Sequence, residues 1–207
     1  MPVKRHRSEA SRTLIGPRRC ATVAAGVAML GFVARVRAIM LTPHTEWVAI
    51  EREAGANSAL LTRYLAILAA IPALARFIGG SLIGGYTPIL SGLMQAVIGY
   101  VLTFALVYGV ALVANALAPK FDTAKDFSRA LRLTGYAYTP LWLAGVFLAV
   151  PGLSFLSILG LYGAYLLWVG LPVMMRTPAS KALPYAAAIA ATAFLFEILL
   201  RTVLATI

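Results

Sequence analysis

Residues 77–119 read FIGGSLIGGYTPILSGLMQAVIGYVLTFALVYGVALVANALAP, 43 residues without a formal charge. Residues 133–175, LTGYAYTPLWLAGVFLAVPGLSFLSILGLYGAYLLWVGLPVMM, form a second uncharged run of 43. A helix needs about 20 residues at ~1.5 Å each to cross a hydrocarbon core of about 30 Å. Each run therefore holds about two crossings, and the turn-forming residues inside them mark where they divide.

The rest of the chain agrees. Its 207 residues are 61% hydrophobic and only 12% charged, with a mean hydropathy of +0.86. Soluble domains carry about 25% charged residues. The same figures exclude a disordered chain, collagen and a coiled coil, and a single cysteine, Cys20, excludes a disulfide framework. An integral membrane protein of one compact all-α unit remains.

Five crossings are expected. The first runs from the Asn57-Ser58 cap to about Gly84, kinked at Pro72, and Gly84-Gly85-Tyr86-Thr87-Pro88 turns into a second from about Ser91 to Leu117. A polar stretch, Lys120 to Arg132, follows, in which Asp122, Asp126, Lys125 and Arg129 stand at the spacing of a solvated helix. A third helix covers about Pro140 to Val150, or starts near Tyr136. Pro151-Gly152 turns into a fourth, about Ser154 to Met175, and Pro178 and Pro184 bracket a loop before a fifth, about Tyr185 to Ala205.

Charge sets the orientation. The chain carries 18 Lys+Arg against 7 Asp+Glu, a net +11. Ten basic residues precede or open the first helix, four lie between helices two and three, and two lie between four and five; the remaining loops have none. Basic loops stay in the cytoplasm, so the N-terminus is expected inside and the C-terminus outside. That balance is explained by orientation and anionic lipid, so no nucleic-acid partner is expected. Fourteen arginines to four lysines, with abundant alanine, suggest a GC-rich bacterial genome.

Residues 1–30 are a basic extension: Lys4, Arg5, Arg7, Arg12, Arg18 and Arg19 precede an apolar stretch, Ala21 to Ala34. This has the outline of a signal peptide without a convincing Ala-x-Ala site; the alternative is a native start at Met29. Residues 31–57 are expected to form two short amphipathic helices. Phe32, Val36, Ile39 and Met40 share one face, and Thr42-Pro43 caps and opens the second, with Glu46, Trp47 and Ile50 beyond. They either lie in the cytoplasmic interface or dock onto the bundle, which occupies 58–207.

Arg35-Val36-Arg37-Ala38-Ile39-Met40-Leu41-Thr42-Pro43 with Glu46-Trp47 resembles the opening of bacterial members of the Yip family, the Ypt/Rab-GTPase-interacting membrane proteins. The likeness continues in Leu68-Ala69-Ala70-Ile71-Pro72 and Phe77-Ile78-Gly79-Gly80. It is clearest in residues 130–145, ALRLTGYAYTPLWLAG, where Tyr136, Tyr138, Thr139, Pro140 and Trp142 carry the motif, and extends to Leu161-Tyr162-Gly163 and Gly170-Leu171-Pro172. The resemblance implies five membrane helices, an inward N-terminus, and a role in membrane organisation or interaction. The Asp-Leu-Tyr-Gly-Pro motif of eukaryotic members has no counterpart in this chain.

Catalytic constellations are almost absent. His6 and His44 are far apart, no His/Cys/Asp/Glu group has metal-ligand spacing, and no Gly-rich phosphate loop occurs, so neither enzyme activity nor a cofactor is expected. Ionisable groups inside a membrane are costly and usually face protein or water. Glu197 and Arg201 share a face of the fifth helix at a spacing of four, and Arg76 lies a turn beyond Pro72. They form either an internal ion pair or a polar site, the latter the basis of an alternative function as a small transporter or channel.

Tyr162, Tyr165 and Trp168 repeat every three residues and are expected to pack on a neighbour. Candidate contacts to anionic lipid headgroups, or to a membrane or cytoplasmic protein, are Arg35, Arg37, Trp47, Lys125, Arg129 and Arg132. Small residues at Gly80 and Gly84, and at Ala186, Ala190 and Ala193, allow close helix packing within the chain or between copies. The expected location is the bacterial inner membrane.

Overall fold

A computed structural model describes residues 30–53 and 58–206, and every regular element among them is helical. The basic extension, with its signal-peptide and late-start alternatives, lies outside the described residues, as does the Asn57 cap. A first helix, α1, covers 30–41. It is followed by α2 (Pro43–Arg52), α3 (Ser58–Phe77), α4 (Ile89–Leu117), α5 (Phe127–Ala137), α6 (Thr139–Ala144), α7 (Tyr162–Met174) and α8 (Ala179–Ala205). Four helical stretches are long and apolar enough to cross a membrane: Leu61–Ile83, Ile89–Phe121, Ser154–Met174 and Ala179–Ala205. Leu93, Val97 and Val101 on α4 and Phe194, Leu195 and Leu199 on α8 are half exposed or more. That is the surface of a protein whose solvent is lipid.

The breaks have local causes. Pro72 sits inside α3, and the next turns widen into a π-helix, Ile78–Ile83. There Gly79 lies against the backbone of Leu148 and Ala149, in space a Cβ would fill. The third expected helix, Pro140 to Val150, is instead two short pieces, α6 and a 3₁₀ segment, Gly145–Ala149, and α5 precedes them from within the polar stretch. Pro140, second in α6, cannot donate to the preceding turn, so α5 closes at Tyr138. Asp126 starts α5 early by accepting the Arg129 amide at 3.0 Å. The polar stretch before it is not the expected solvated helix, because Ala118–Phe121 is 3₁₀ and Asp122 takes a left-handed conformation with φ 54°. Pro178 caps α8, and Pro184 falls within its first turns rather than in a loop. Ser154–Leu161 is 3₁₀ and leads into α7.

The order of contacts sets the direction of each pass. Gly135 faces Leu65, Gly145 faces Pro72, and Leu148 meets Gly79, so residues 127–149 run beside α3 in the same sense. Gly160, Gly163 and Gly170 face Leu141, Ala137 and Leu133, so the chain returns antiparallel through α7. Tyr185 Oη donates to Ala114 O at 2.6 Å and Phe196 lies against Gly109, which places α8 antiparallel to α4.

At one end α1 and α2 form a helical hairpin. Thr42 precedes α2, but its hydroxyl donates back to Ala38 O at 3.1 Å and does not cap the helix. Trp47 and Ile39 are fully buried. Phe32 packs on Tyr64 (centroids 5.4 Å) and Tyr64 on Tyr136 (4.8 Å), with Trp47 edge-on to Tyr136 at 6.3 Å. Tyr162 Oη donates to Met40 O at 3.1 Å, and Tyr165 reaches His44 at 3.4 Å. The tyrosine stripe of α7 thus packs on the corner of this hairpin.

The fit of α2 on α7 depends on Gly170: a Cβ there would stand 2.6 Å from Leu133 Cδ1 and 2.7 Å from Trp47 Cε2. Gly170→Val is expected to cost about 1–3 kcal/mol through overpacking and to lower the melting temperature in detergent. Gly31→Ala in α1, with nothing within 4 Å of its Cβ position, is expected to leave it unchanged.

Candidate functional site: intramembrane charges between two cavities

Charged side chains gather at two places. The first is the end of the bundle where α2 and the loops 118–126 and 175–178 meet, joined by Arg129 Nη1 donating to Met174 O (3.3 Å) and by Thr123 to Thr177 (3.0 Å). Every described acid at this basic end is paired: Glu46 and Glu53 with Arg35, Glu51 with Arg129 and Arg176, Asp126 with Arg129, and Asp122 with Lys181. Arg35 donates to Glu53 Oε1 at 2.6 Å and also to Glu46. Burial opposes its charge, but hydrogen bonds to Glu53 and Glu46 and their charges outweigh that and hold the guanidinium above its ordinary value.

The expected surface contacts therefore divide. Trp47 is fully buried, and Arg35 and Arg129 are engaged within the chain. Arg37, Lys125 and Arg132 have no ion pair among the described residues, nor do Arg52, Arg63 and Lys120. From sequence, Glu46 is expected only as a first-turn acid of α2 and part of the family-like motif, and Glu51 and Glu53 carry no expected role. Glu46 and Glu53 stand seven apart on a helix, a spacing that could have flagged a shared partner; Glu51 meets residues far along the chain and left no such signal.

The second place is inside the bundle. The structure brings Arg76 Nη2 to 3.4 Å from Glu197 Oε1 and Arg201 Nε to 3.0 Å from the same oxygen. The side chains of Arg76 and Glu197 are 35% and 18% exposed. Two arginines share one carboxylate, leaving one unit of positive charge.

Three cavities meet at this trio. An apolar one of about 560 Å³ lies between α5–α6, the 3₁₀ segment before α7, α7 and α8, with Glu197 and Arg201 at its edge. A more polar one of about 260 Å³ lies between α3, α4 and α8, with Arg76, Ser81, Thr87, Gln95, Thr103 and Arg201 among its otherwise apolar lining. A gap of about 30 Å³ adjoins both sets of walls, at Arg76, Tyr138, Ser157, Glu197 and Arg201. The hydroxyls of Tyr138 and Ser81 are buried without a hydrogen-bond partner.

Of the motif residues, Tyr138 and Trp142 line the gap at the trio, while Tyr136 packs on Trp47 and Tyr64. Tyr136, Tyr138, Thr139, Pro140 and Trp142 are all buried, and Thr139 is hydrogen-bonded to Tyr64 at 2.9 Å. Ala190 and Ala193 line the apolar cavity, and Ala186 is buried. Among the described residues no group of His, Cys, Asp or Glu could hold a metal ion.

Removing the shared carboxylate leaves two guanidinium groups with no counter-charge. Glu197→Ala is expected to cost about 1–3 kcal/mol, below the ~3–5 of a fully buried pair because Arg76 keeps some access. Arg201→Ala, at a side chain 53% exposed, is expected to cost less than about 1 kcal/mol. Unfolding in detergent checks the order of the two.

The comparisons with known proteins agree with a membrane-spanning helical chain. Residues 37–200 match the family model described as the Yip1 domain. The chain is similar to "Inner membrane protein YohC" of Escherichia coli K12, 29% identical over 171 residues, covering 76% of this chain and 88% of the relative. The protein of the same description in Escherichia coli O6:H1 (strain CFT073) gives the same figures. No solved structure matches. The match over residues 37–200 includes α3 to α7 and most of α8, and with it Arg76, Tyr138 and Glu197: the chain belongs to the Yip1 domain family of integral membrane proteins.

Proposed function

We propose that this chain is a five-pass, non-enzymatic protein of the bacterial inner membrane that organises the lipid around it, with its basic end in the cytoplasm and residue 207 outside. Residues 127–149 supply the fifth pass. They run beside α3 from the Arg129 contact at the basic end to Gly79 at the other. Their mixture of α and 3₁₀ turns reaches about 36 Å at ~1.5 and ~2.0 Å per residue, enough for a core of about 30 Å. Ten described basic residues, Arg35 to Lys181, stand at one end, and among the described residues only Arg76 and Arg201 lie beyond it, which supports the orientation.

The observation that carries the role is the α1–α2 hairpin. Its corner lies beside Tyr162 and Tyr165, so it extends about 14 Å along α7 from Met174 at ~1.5 Å per residue. It adds two helices to the cross-section of the basic half only. Six unpaired cations surround it, and each basic group near an anionic surface contributes about 1 kcal/mol of attraction. The membrane unit of residues 58–207 thus carries, on residues 31–57, an anionic-lipid collar in one leaflet. Residues Phe121 to Arg132, which lead into the first turns of α5, extend that collar and offer Lys125 and Arg132 to a protein partner.

A second reading, a small transporter or channel using Arg76, Glu197 and Arg201, is favoured by the cavities that meet at those residues. It requires a hydrated path from both ends. Ion or proton flux into vesicles that Glu197→Gln abolishes would establish it.

Two measurements test the proposal. Membrane excised around the full chain with a polymer is expected to be enriched in phosphatidylglycerol over bulk lipid. Arg37→Gln/Lys125→Gln/Arg132→Gln should bring it back toward bulk, and equal composition in all three removes the role. Thr206→Cys in a Cys20→Ser background is expected to react with an impermeant maleimide in intact cells, whereas Ser180→Cys reacts only after permeabilisation. The reverse pattern removes the proposed orientation, with the basic end in the cytoplasm and residue 207 outside.

A further inference from the structure

The trio in the half of the bundle away from the basic end has the composition of an anion receptor. Glu197 Oε1 already receives both Arg76 and Arg201, so the remaining valences of the two guanidinium groups are donors. The unpartnered Tyr138 Oη, whose residue lines the connecting gap with Arg76 and Arg201, is a hydroxyl able to donate. Tyr138 is 7% exposed and lines both the apolar cavity and the connecting gap. A buried hydroxyl left without a partner costs about 1–3 kcal/mol, which a ligand oxygen would relieve. The positive charge left by two arginines and one carboxylate matches a single negative charge. Donors without spare acceptors match an oxyanion, whose oxygens only accept.

What accompanies the anion is read from the larger cavity. At about 560 Å³ it falls in the range of ligand pockets, roughly 300–1,000 Å³. Its walls are almost entirely apolar: Leu141, Gly160, Ala164, Leu167, Ile189 and Ala193. Its rim includes Phe155, Ile158, Leu161 and Phe194, which are 65%, 64%, 66% and 63% exposed on the outer surface of the helices. The mouth therefore opens sideways, among the residues that face hydrocarbon, and the occupant enters from the bilayer. A soluble anion does not need such a cavity.

We infer that the chain holds one anionic phospholipid in this half of the bundle, its phosphate at Arg76 and Arg201 beside the Tyr138 hydroxyl and an acyl chain in the apolar cavity between α7 and α8. The site is separate from the collar of lipid at the basic end. It gives Glu197 a role in the lipid-free site, where the carboxylate supplies the arginines' counter-charge and competes with the lipid phosphate for them.

Native mass spectrometry of the full chain, delipidated in detergent and titrated with phosphatidylglycerol or phosphatidylcholine of the same chains, tests the assignment. One phosphatidylglycerol is expected to bind at least tenfold more tightly than phosphatidylcholine. Ala193→Trp, which fills the cavity and leaves the charges alone, should weaken it at least tenfold, as should Arg76→Gln/Arg201→Gln. Glu197→Gln frees the arginines from their internal partner and should tighten binding about tenfold, equivalent to about 1.4 kcal/mol, whereas a purely structural glutamate predicts no gain. Arg37→Gln/Lys125→Gln/Arg132→Gln should leave this binding unchanged, which separates the site from the proposed collar. Equal binding of the two lipids, or no effect of both Ala193→Trp and Glu197→Gln, overturns the proposal. Displacement of the lipid by inorganic phosphate at equal concentration also overturns it, in favour of a free-anion site.

Discussion

A backbone in hydrocarbon has no water to bond to, so any turn that interrupts a helix there must be covered by protein. The most broken part of this chain, residues 138–149, is covered in that way. Pro140 ends one helical piece and Gly145 begins a 3₁₀ turn, and the other side of that turn is filled by Pro72, inside α3. Further along, the π-turn at Gly79 meets the backbone of Leu148 and Ala149. The two irregular segments are thus placed against each other, with residues 154–161 packed on the later one and α4 on the earlier. The apolar cavity and the arginine–glutamate trio exist because short, bent segments cannot fill the bundle as straight helices would.

The distribution of charge follows from the same solvent. At the basic end the pairs range from half-buried, as Arg35 with Glu46, to exposed, as Arg176 with Glu51, and the unpaired cations contribute through their sum. Inside, one carboxylate serves two guanidinium groups, and the cost of burial makes the geometry of that contact matter. Glutamate at 197 with arginine one turn later is a local pairing; Arg76 makes it a tertiary one, tying α3 to α8. Neither α3 nor α8 is held to the other by much else, because α4 and the segment 138–149 stand between them over most of their length.

How much of this could be read from the residues follows from the range of each interaction. The two uncharged runs, the turn at Gly84–Pro88 and the capping sequence Thr42-Pro43 are local, and the helices at Ile89–Leu117 and Pro43–Arg52 agree with them. The pairing of Glu197 with Arg201 was legible from a spacing of four. The segmentation of 127–149 was not, because hydropathy is the same for an α-helix and for α-turns joined to 3₁₀ turns. Pro140 and Gly145 were the available signs. The cavities were not legible at all, since they are made by what Gly160, Ala190 and Ala193 fail to fill when four elements meet. The tryptophan of α2 was read as a surface group because its slot is formed by Gly170 and Leu133, far along the chain.

That last separation has a consequence for biosynthesis. Tyr162, which holds the carbonyl of Met40, is 122 residues downstream of it. At translation speeds of about 5–20 residues per second, the first hairpin waits roughly 6–24 s after it leaves the ribosome before its resting place is made. During that interval Trp47 and Ile39 have no slot in the chain that follows and must be shielded by the membrane surface or the insertion machinery. The amino-terminal helices are the first described elements synthesised and among the last that can settle.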